Sequence, residues 1–236
     1  MRRALAALLL ATASAQAAPF NTWGVHVGEG VVGSTTYVYG REVLGASPHA
    51  NPILYGEFGV TQDLELDVGI GTTVDRGLRA PTLELLVRSF VAPSTALVVR
   101  GALDRASETL TLSPELHGVY TFPSWDLTVN AGWSPHLGPG TSSAGLAALT
   151  IAPEHYWAPG FSSFVEVVGQ ASLDDARFPR GGRLYAELVP GVALRFGAMH
   201  EVCMGLGLPV AGASMEAAYV GVWYAVASSG VPVRVR

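Results

Sequence analysis

The 236-residue chain has no lysine, a single cysteine (Cys203) and only 14% charged residues. One cysteine excludes an intramolecular disulfide framework, a thiolate metal cluster and a paired haem-attachment motif. With every lysine-type charge missing and a formal charge of −5, the chain lacks the basic surface that nucleic acid demands, so no nucleic-acid partner is expected. Long apolar runs are also absent. Beyond the first residues, each apolar stretch is broken every second or third position by Gly, Ser, Thr or a carboxylate, whereas a membrane helix needs about 20 apolar residues. Yet 49% of the chain is hydrophobic and its mean hydropathy is +0.34. Apolar content this high without a helical span is the pattern of strands that alternate between lipid and an interior.

The first residues read as an export signal. Arg2 and Arg3 form a positive n-region, Ala4 to Ala13 an uncharged apolar stretch, and Ala15-Gln16-Ala17 a small-x-small cleavage pattern. The apolar stretch is too short to span a bilayer and has no polar face, which disfavours an ordinary amphipathic helix. Residues 1–17 are predicted to be a signal peptide cleaved after Ala17 or Ala18, and its loss takes the formal charge from −5 to −7. Residues 18–236 show no linker or change of composition and are predicted to form one domain.

Within that domain the segment Trp125 to Trp133 alternates most clearly. Trp125, Leu127, Val129, Ala131 and Trp133 fall on one face, and Asp126, Thr128, Asn130 and Gly132 on the other. At about 3.3 Å per residue the two tryptophans stand roughly 26 Å apart, the height of the apolar band between aromatic girdles of an outer-membrane barrel. Trp125, Trp133, Tyr120 and Trp223 are predicted girdle residues. Residues 63–70, 109–120 and 183–195 alternate similarly, although Pro114 and Pro190 each call for a bulge or kink because proline lacks the ladder N–H.

Twelve strands are predicted: 23–33, 50–60, 63–73, 80–91, 95–104, 109–121, 125–134, 143–152, 161–171, 182–196, 200–209 and 215–226, with ten as the alternative. Short gaps at 61–62, 92–94, 122–124 and 197–199 alternate with longer ones at 34–49, 72–79, 105–108, 135–142, 172–181 and 210–214; 153–160 is too long for its short class. Short turns at one end and loops at the other indicate an all-β, antiparallel, up-and-down transmembrane β-barrel with both termini in the periplasm.

The segment Tyr55-Gly-Glu-Phe-Gly-Val-Thr-Gln-Asp-Leu-Glu-Leu-Asp-Val-Gly-Ile-Gly71 resembles a hairpin of small Gram-negative outer-membrane channel proteins, among them the family named for the phenol meta-degradation pathway. The resemblance covers fewer than twenty residues and implies a porin-like barrel in the outer membrane, with outer-membrane lipid and the barrel assembly machinery as partners. One departure stands out. Such barrels usually end on an aromatic residue, but here Val220-Gly-Val-Trp-Tyr224 is followed by twelve more residues, of which 227–236 are read as a periplasmic tail.

Alternation assigns Glu57, Glu65, Asp67, Glu84, Asp104, Glu115, Asp126, Glu166, Glu187, Arg88, Arg100, Arg183, Arg195 and His117 to the lumen, because charges facing lipid at mid-membrane cost several kcal/mol. Acid outnumbers base, which predicts a cation-preferring interior. A short first turn sets Glu57 opposite Asp67; like charges so placed repel, so Arg88 or a bound cation is expected beside them.

Ser113, Glu115 and His117 share a face and superficially suggest a catalytic set. Residues two apart on a strand lie about 6.5 Å apart, so His117 is expected beside Thr128 and Glu115 beside Asn130, and no enzyme activity is predicted. His26, His49, His136, His155 and His200 are scattered without ligand spacing, so neither metal nor cofactor is expected. Four readings follow. The first is a passive channel for small polar or cationic solutes, and the second a closed barrel displaying the loops at 34–49, 135–142 and 172–181. The third is a rim hydrolase, and the fourth a soluble periplasmic β-sandwich.

Overall fold

The protein is described from a computed structural model covering residues 32–43, 49–72, 74, 81–104, 109–138, 141–174, 183–196, 200–212 and 219–227. The predicted signal peptide, most of the predicted first strand and the tail beyond Ala227 lie outside them. Twelve strands occur among these residues: β1 Val32–Val43, β2 His49–Thr61, β3 Leu64–Gly71, β4 Thr82–Ala92, β5 Thr95–Asp104, β6 Thr109–Thr121, β7 Trp125–Gly138, β8 Thr141–Ala158, β9 Phe161–Ser172, β10 Leu184–Phe196, β11 His200–Ala211 and β12 Tyr219–Ala227. Each pairs antiparallel with its sequence neighbours, and β1 pairs with both β2 and β12, which closes the sheet into a barrel.

The period-2 pattern becomes an inside and an outside. On β9, Ser162, Phe164, Glu166, Val168, Gln170 and Ser172 are buried, while the intervening Phe161, Val165 and Val167 are exposed. The same alternation on the other strands leaves Leu54, Val68, Ile70, Leu85, Leu97, Val99, Leu149 and Leu206 uncovered on the outer surface. An unpartnered apolar belt around a closed sheet is what a hydrocarbon solvent permits and water does not. No helix among the described residues is long and apolar enough to cross a membrane.

Short connections at 62–63, 93–94, 122–124 and 159–160 gather at one end of the barrel, where β10 ends at Phe196 and β11 begins at His200. At the 62–63 turn the Asp63 amide donates to Thr61 Oγ1 at 3.2 Å. The register shifts between Gly59 and Thr61, Phe90 and Ala92, and Tyr156 and Ala158, so three of these turns are entered through a bulge.

Several boundaries differ from the sequence reading. β1 occupies Val32–Val43, where Ser34 to Tyr39 is rich in β-branched and aromatic residues, so most of the loop expected at 34–49 is strand; the strand predicted at 23–33 lies outside the described residues except for its last two positions. Residues 135–138 and 141–142, expected in a loop, are strand: β7 and β8 stay paired to Gly138 and Thr141. A bulge between Ser134 and His136 takes Pro135 out of the ladder. Opposite it, Gly145 has φ of 73°, and a Cβ there would meet the Ser134 carbonyl oxygen at 1.9 Å. Residues 153–160 are mostly strand, since β8 runs to Ala158 and a two-residue turn ends on Gly160 at φ 77°. Pro114 and Pro190 need no bulge. Pro114 keeps register with Val99 and Pro190 with Val165, and the ladder to the other neighbour resumes unshifted at Glu115–Gly132 and Gly191–Gly205.

Candidate lumen lining

Because directly paired residues share a face, the register decides which charges meet inside the barrel. Glu57 on β2 pairs with Asp67 on β3, and Glu65 on β3 pairs with Arg88 on β4. The guanidinium of Arg88 lies 2.5 Å from Glu65 and 3.1 Å from Asp67, between side chains that are almost fully enclosed. Glu65 and Asp67 thus share one arginine, with Glu57 paired to Asp67 on the next strand.

A second group follows on β4 to β6. Arg100 lies 3.1 Å from Glu115 and 3.7 Å from Glu84, and Glu84 accepts the Tyr55 hydroxyl at 2.6 Å. His117 Nε2 sits 2.6 Å from Glu115 Oε2. The expectation that strand spacing keeps this pair apart therefore fails: two side chains leaning toward each other span the 6.5 Å between their backbones. The cross-strand positions differ too, since His117 pairs with Asn130 and Glu115 with Gly132. Ser113 Oγ lies 2.8 Å from Ser134 Oγ, so serine and histidine engage different partners and no nucleophile–base pair is assembled.

A third group, near the short-turn end, centres on Arg195. Its guanidinium reaches Glu154 at 2.7 Å, Glu201 at 3.0 Å and Ser162 Oγ at 3.0 Å, and lies 5.4 Å from the Tyr156 ring centroid. The Tyr156 hydroxyl donates to Asp126 at 2.8 Å, Ser162 donates to Glu154, and the Cys203 thiol donates to Glu201 at 3.2 Å.

The wall of β9 and β10 is different. Glu166 is 0% exposed and neither carboxylate oxygen has a hydrogen-bond partner; Gln170 is likewise buried with both amide atoms unpartnered. Glu187, also buried, accepts the Tyr185 hydroxyl at 2.5 Å. In a closed ring of twelve strands, β9 and β10 stand across the barrel from β3 and β4.

Of the predicted lining, Glu57, Glu65, Asp67, His117, Asp126, Glu166 and Glu187 are buried, while Glu84, Arg88, Asp104, Arg100, Glu115 and Arg195 are half-buried on the inner face. Arg183 is exposed, one residue before β10, at the rim rather than in the lumen. Glu154 and Glu201 were not predicted. Pro153 and the Pro159-Gly160 pair make the Glu154 stretch read as a connection, whereas the alternation of Glu201, Cys203 and Gly205 carries a usable signal. On the described strand side chains, eleven inward carboxyl groups stand against three guanidiniums.

On the outside, Tyr120 and Trp133 are exposed, and Trp125 stacks on Phe122 with centroids 4.0 Å apart. The side chain of Trp223 lies outside the described ones; its neighbour Tyr224 is exposed on the outer face. Phe122, Trp157, Phe161, Phe196 and Tyr224 are all exposed beside short turns, an aromatic collar that only partly coincides with the predicted girdle.

No family model and no curated protein sequence matches the chain, and the hairpin resemblance to the phenol meta-degradation family is not borne out at the level of family. Solved structures do match. The NanC porin aligns with a TM-score of 0.58 and 6% identity over 83% of this chain and 98% of its own. The KdgM porin gives 0.57 and 8% over 81% and 98%. An outer membrane channel from Pseudomonas putida F1 gives 0.55 and 10% over 88% and 98%. At such identities the likeness is one of architecture: the chain has the fold of these outer-membrane β-barrels.

Proposed function

We propose that the chain is an outer-membrane channel of a Gram-negative bacterium that passes small polar or cationic solutes and disfavours anions. The observation that carries this reading is the charge of the interior: among the described side chains, eleven carboxyl groups stand against three guanidiniums, each of which already touches two carboxylates. Unbalanced acid along a lumen raises the local concentration of cations and repels anions. The fold shared with porins is consistent with that role, and the apolar belt suits an outer-membrane location.

The test is single-channel recording of the refolded mature protein in planar bilayers under a KCl gradient. Cation-sign reversal potentials, reduced when Glu57 and Glu187 are changed to glutamine, are expected; anion selectivity would overturn the reading. Enclosure of the interior, with Glu65, Asp67, Val168 and Glu187 at 1% exposure or less, favours a second reading: a closed barrel that presents its loops. Folded, inserted protein that passes no current would select it.

A further inference from the structure

We infer that Glu166, Glu187 and Gln170 form a cation-binding subsite on the β9–β10 wall inside the barrel. Its role in permeation rests on the channel reading; binding itself does not.

Glu166 is fully enclosed, and both its carboxylate oxygens lack hydrogen-bond partners. The guanidiniums described on the inner face are engaged elsewhere: Arg88 by Glu65 and Asp67, Arg100 by Glu84 and Glu115, and Arg195 by Glu154 and Glu201. Glu187, another acid, stands on the same inner face of the neighbouring strand, opposite Val168 and one row from Glu166. A buried carboxylate with a like charge beside it and no donor is costly, and such a group in a folded protein calls for a counter-charge.

Gln170 is a second, independent sign. It is 4% exposed, and neither its amide oxygen nor its nitrogen has a partner. The register sets Glu166 opposite Val189, Glu187 opposite Val168 and Gln170 opposite Tyr185. Glu187 therefore stands on the neighbouring strand in the row between Glu166 and Gln170. On the other side, β8 contributes Ala148 beside Gln170, whose single methyl group leaves room. Two carboxylates and a carboxamide oxygen are hard donors, the set that binds calcium and similar ions together with water. No imidazole or thiolate belongs to the set, so it has no bias toward softer transition metals.

The experiment is equilibrium dialysis of radiolabelled calcium against the full mature barrel folded in detergent after chelation. Saturable binding is expected, weakened at least about tenfold in Glu166→Gln and in Glu187→Gln, since affinity follows ligand charge count. Gln170→Leu should weaken it several-fold, and Asp63→Asn, in the exposed β2–β3 turn, should leave it unchanged. Heat-modifiable gel mobility verifies folding, and the two glutamate variants lie on different strands, so failure of one to fold leaves the other to decide. Absence of saturable binding to the wild type, or undiminished binding in the folded glutamine variants, overturns the subsite. In bilayers, calcium should reduce potassium current through the wild type and act less on Glu166→Gln. Binding that depends on Glu166 in a barrel that carries no current upholds the subsite and removes the channel reading. Current that calcium neither binds nor blocks does the reverse.

Discussion

Replacing Arg88 by methionine asks whether the interior behaves as a protein core or as water. The substitution keeps much of the apolar stem but removes two charge-assisted contacts, at 2.5 Å to Glu65 and 3.1 Å to Asp67. It leaves Glu57, Glu65 and Asp67 on adjacent strands without the guanidinium that faces them, Glu57 being directly paired with Asp67. The side chains are 11%, 0% and 2% exposed for Arg88, Glu65 and Asp67, so the buried regime applies. There, removing one partner of an ion pair costs about 3–5 kcal/mol, most of it the uncompensated charge left behind; an exposed pair is worth about 0–1 kcal/mol. Urea unfolding of the barrel, followed by tryptophan fluorescence and extrapolated linearly, measures the difference. Glu65→Gln in the Arg88→Met background should recover a large part of the loss, because it removes one of the repelling charges. A loss below about 1 kcal/mol with no coupling to Glu65 would refute the reasoning, since it would mean that water screens the cluster.

Four further outcomes follow from other parts of the fold. Val167→Arg places a charge on the outer belt and should cost about 2–4 kcal/mol, against roughly 0–1 for Leu173→Arg near the loop end; equal costs in vesicle unfolding would contradict the membrane placement. Gly160→Ala puts a Cβ 2.7 Å from the Arg195 carbonyl oxygen at φ 77° and should destabilise by about 1–3 kcal/mol in the same assay. Cys203, buried behind Glu201, should resist a bulky maleimide until the barrel unfolds, whereas a small cationic thiosulfonate should outpace an anionic one in the folded state. Trp157 is 65% exposed beside the 159–160 turn and should be quenched by lipids brominated near the headgroup more than by those brominated at mid-chain.

Much of this architecture was legible because alternation, turn chemistry and the bilayer all act on the same period of two. The β9 segment, Phe161 to Ser172, and the β5–β6 hairpin needed no tertiary information. The misreadings share a cause: proline and glycine were given their average meaning. Pro135 and Pro153 each looked like the end of a strand. One is taken up by a bulge facing Gly145, and the other pairs in register with Leu127. Similarly, Gly33 and Gly40 made the Val32–Val43 strand read as part of a loop. At the candidate site, alternation identified the inward charges but not their contacts, because partner choice depends on register to a single residue. The His117–Glu115 contact shows this most directly. Its two residues were on the page, but backbone spacing alone does not measure the reach of two long side chains.

The interior poses an electrostatic problem that any function must answer. Among the described side chains, eight more carboxyl groups than guanidiniums line the inner face, and these arginines are not distributed evenly. Arg88 and Arg100 serve β2 to β6, Arg195 serves the short-turn end, and the middle of the β9–β10 wall receives none. Ionised carboxylates withdrawn from water cost several kcal/mol each even after the protein relaxes, a total far beyond the 5–15 kcal/mol by which a folded domain is stable. The excess charge therefore requires solvent, protons or cations inside the barrel. Water and cations imply a lumen connected to solvent, at least to small ions, and protons imply a closed body whose acids are neutral. The asymmetry of the walls adds direction. A cation entering this barrel meets Glu166 across from Arg88, a carboxylate with neither oxygen hydrogen-bonded, so the β9–β10 wall is where its passage or its binding would be decided.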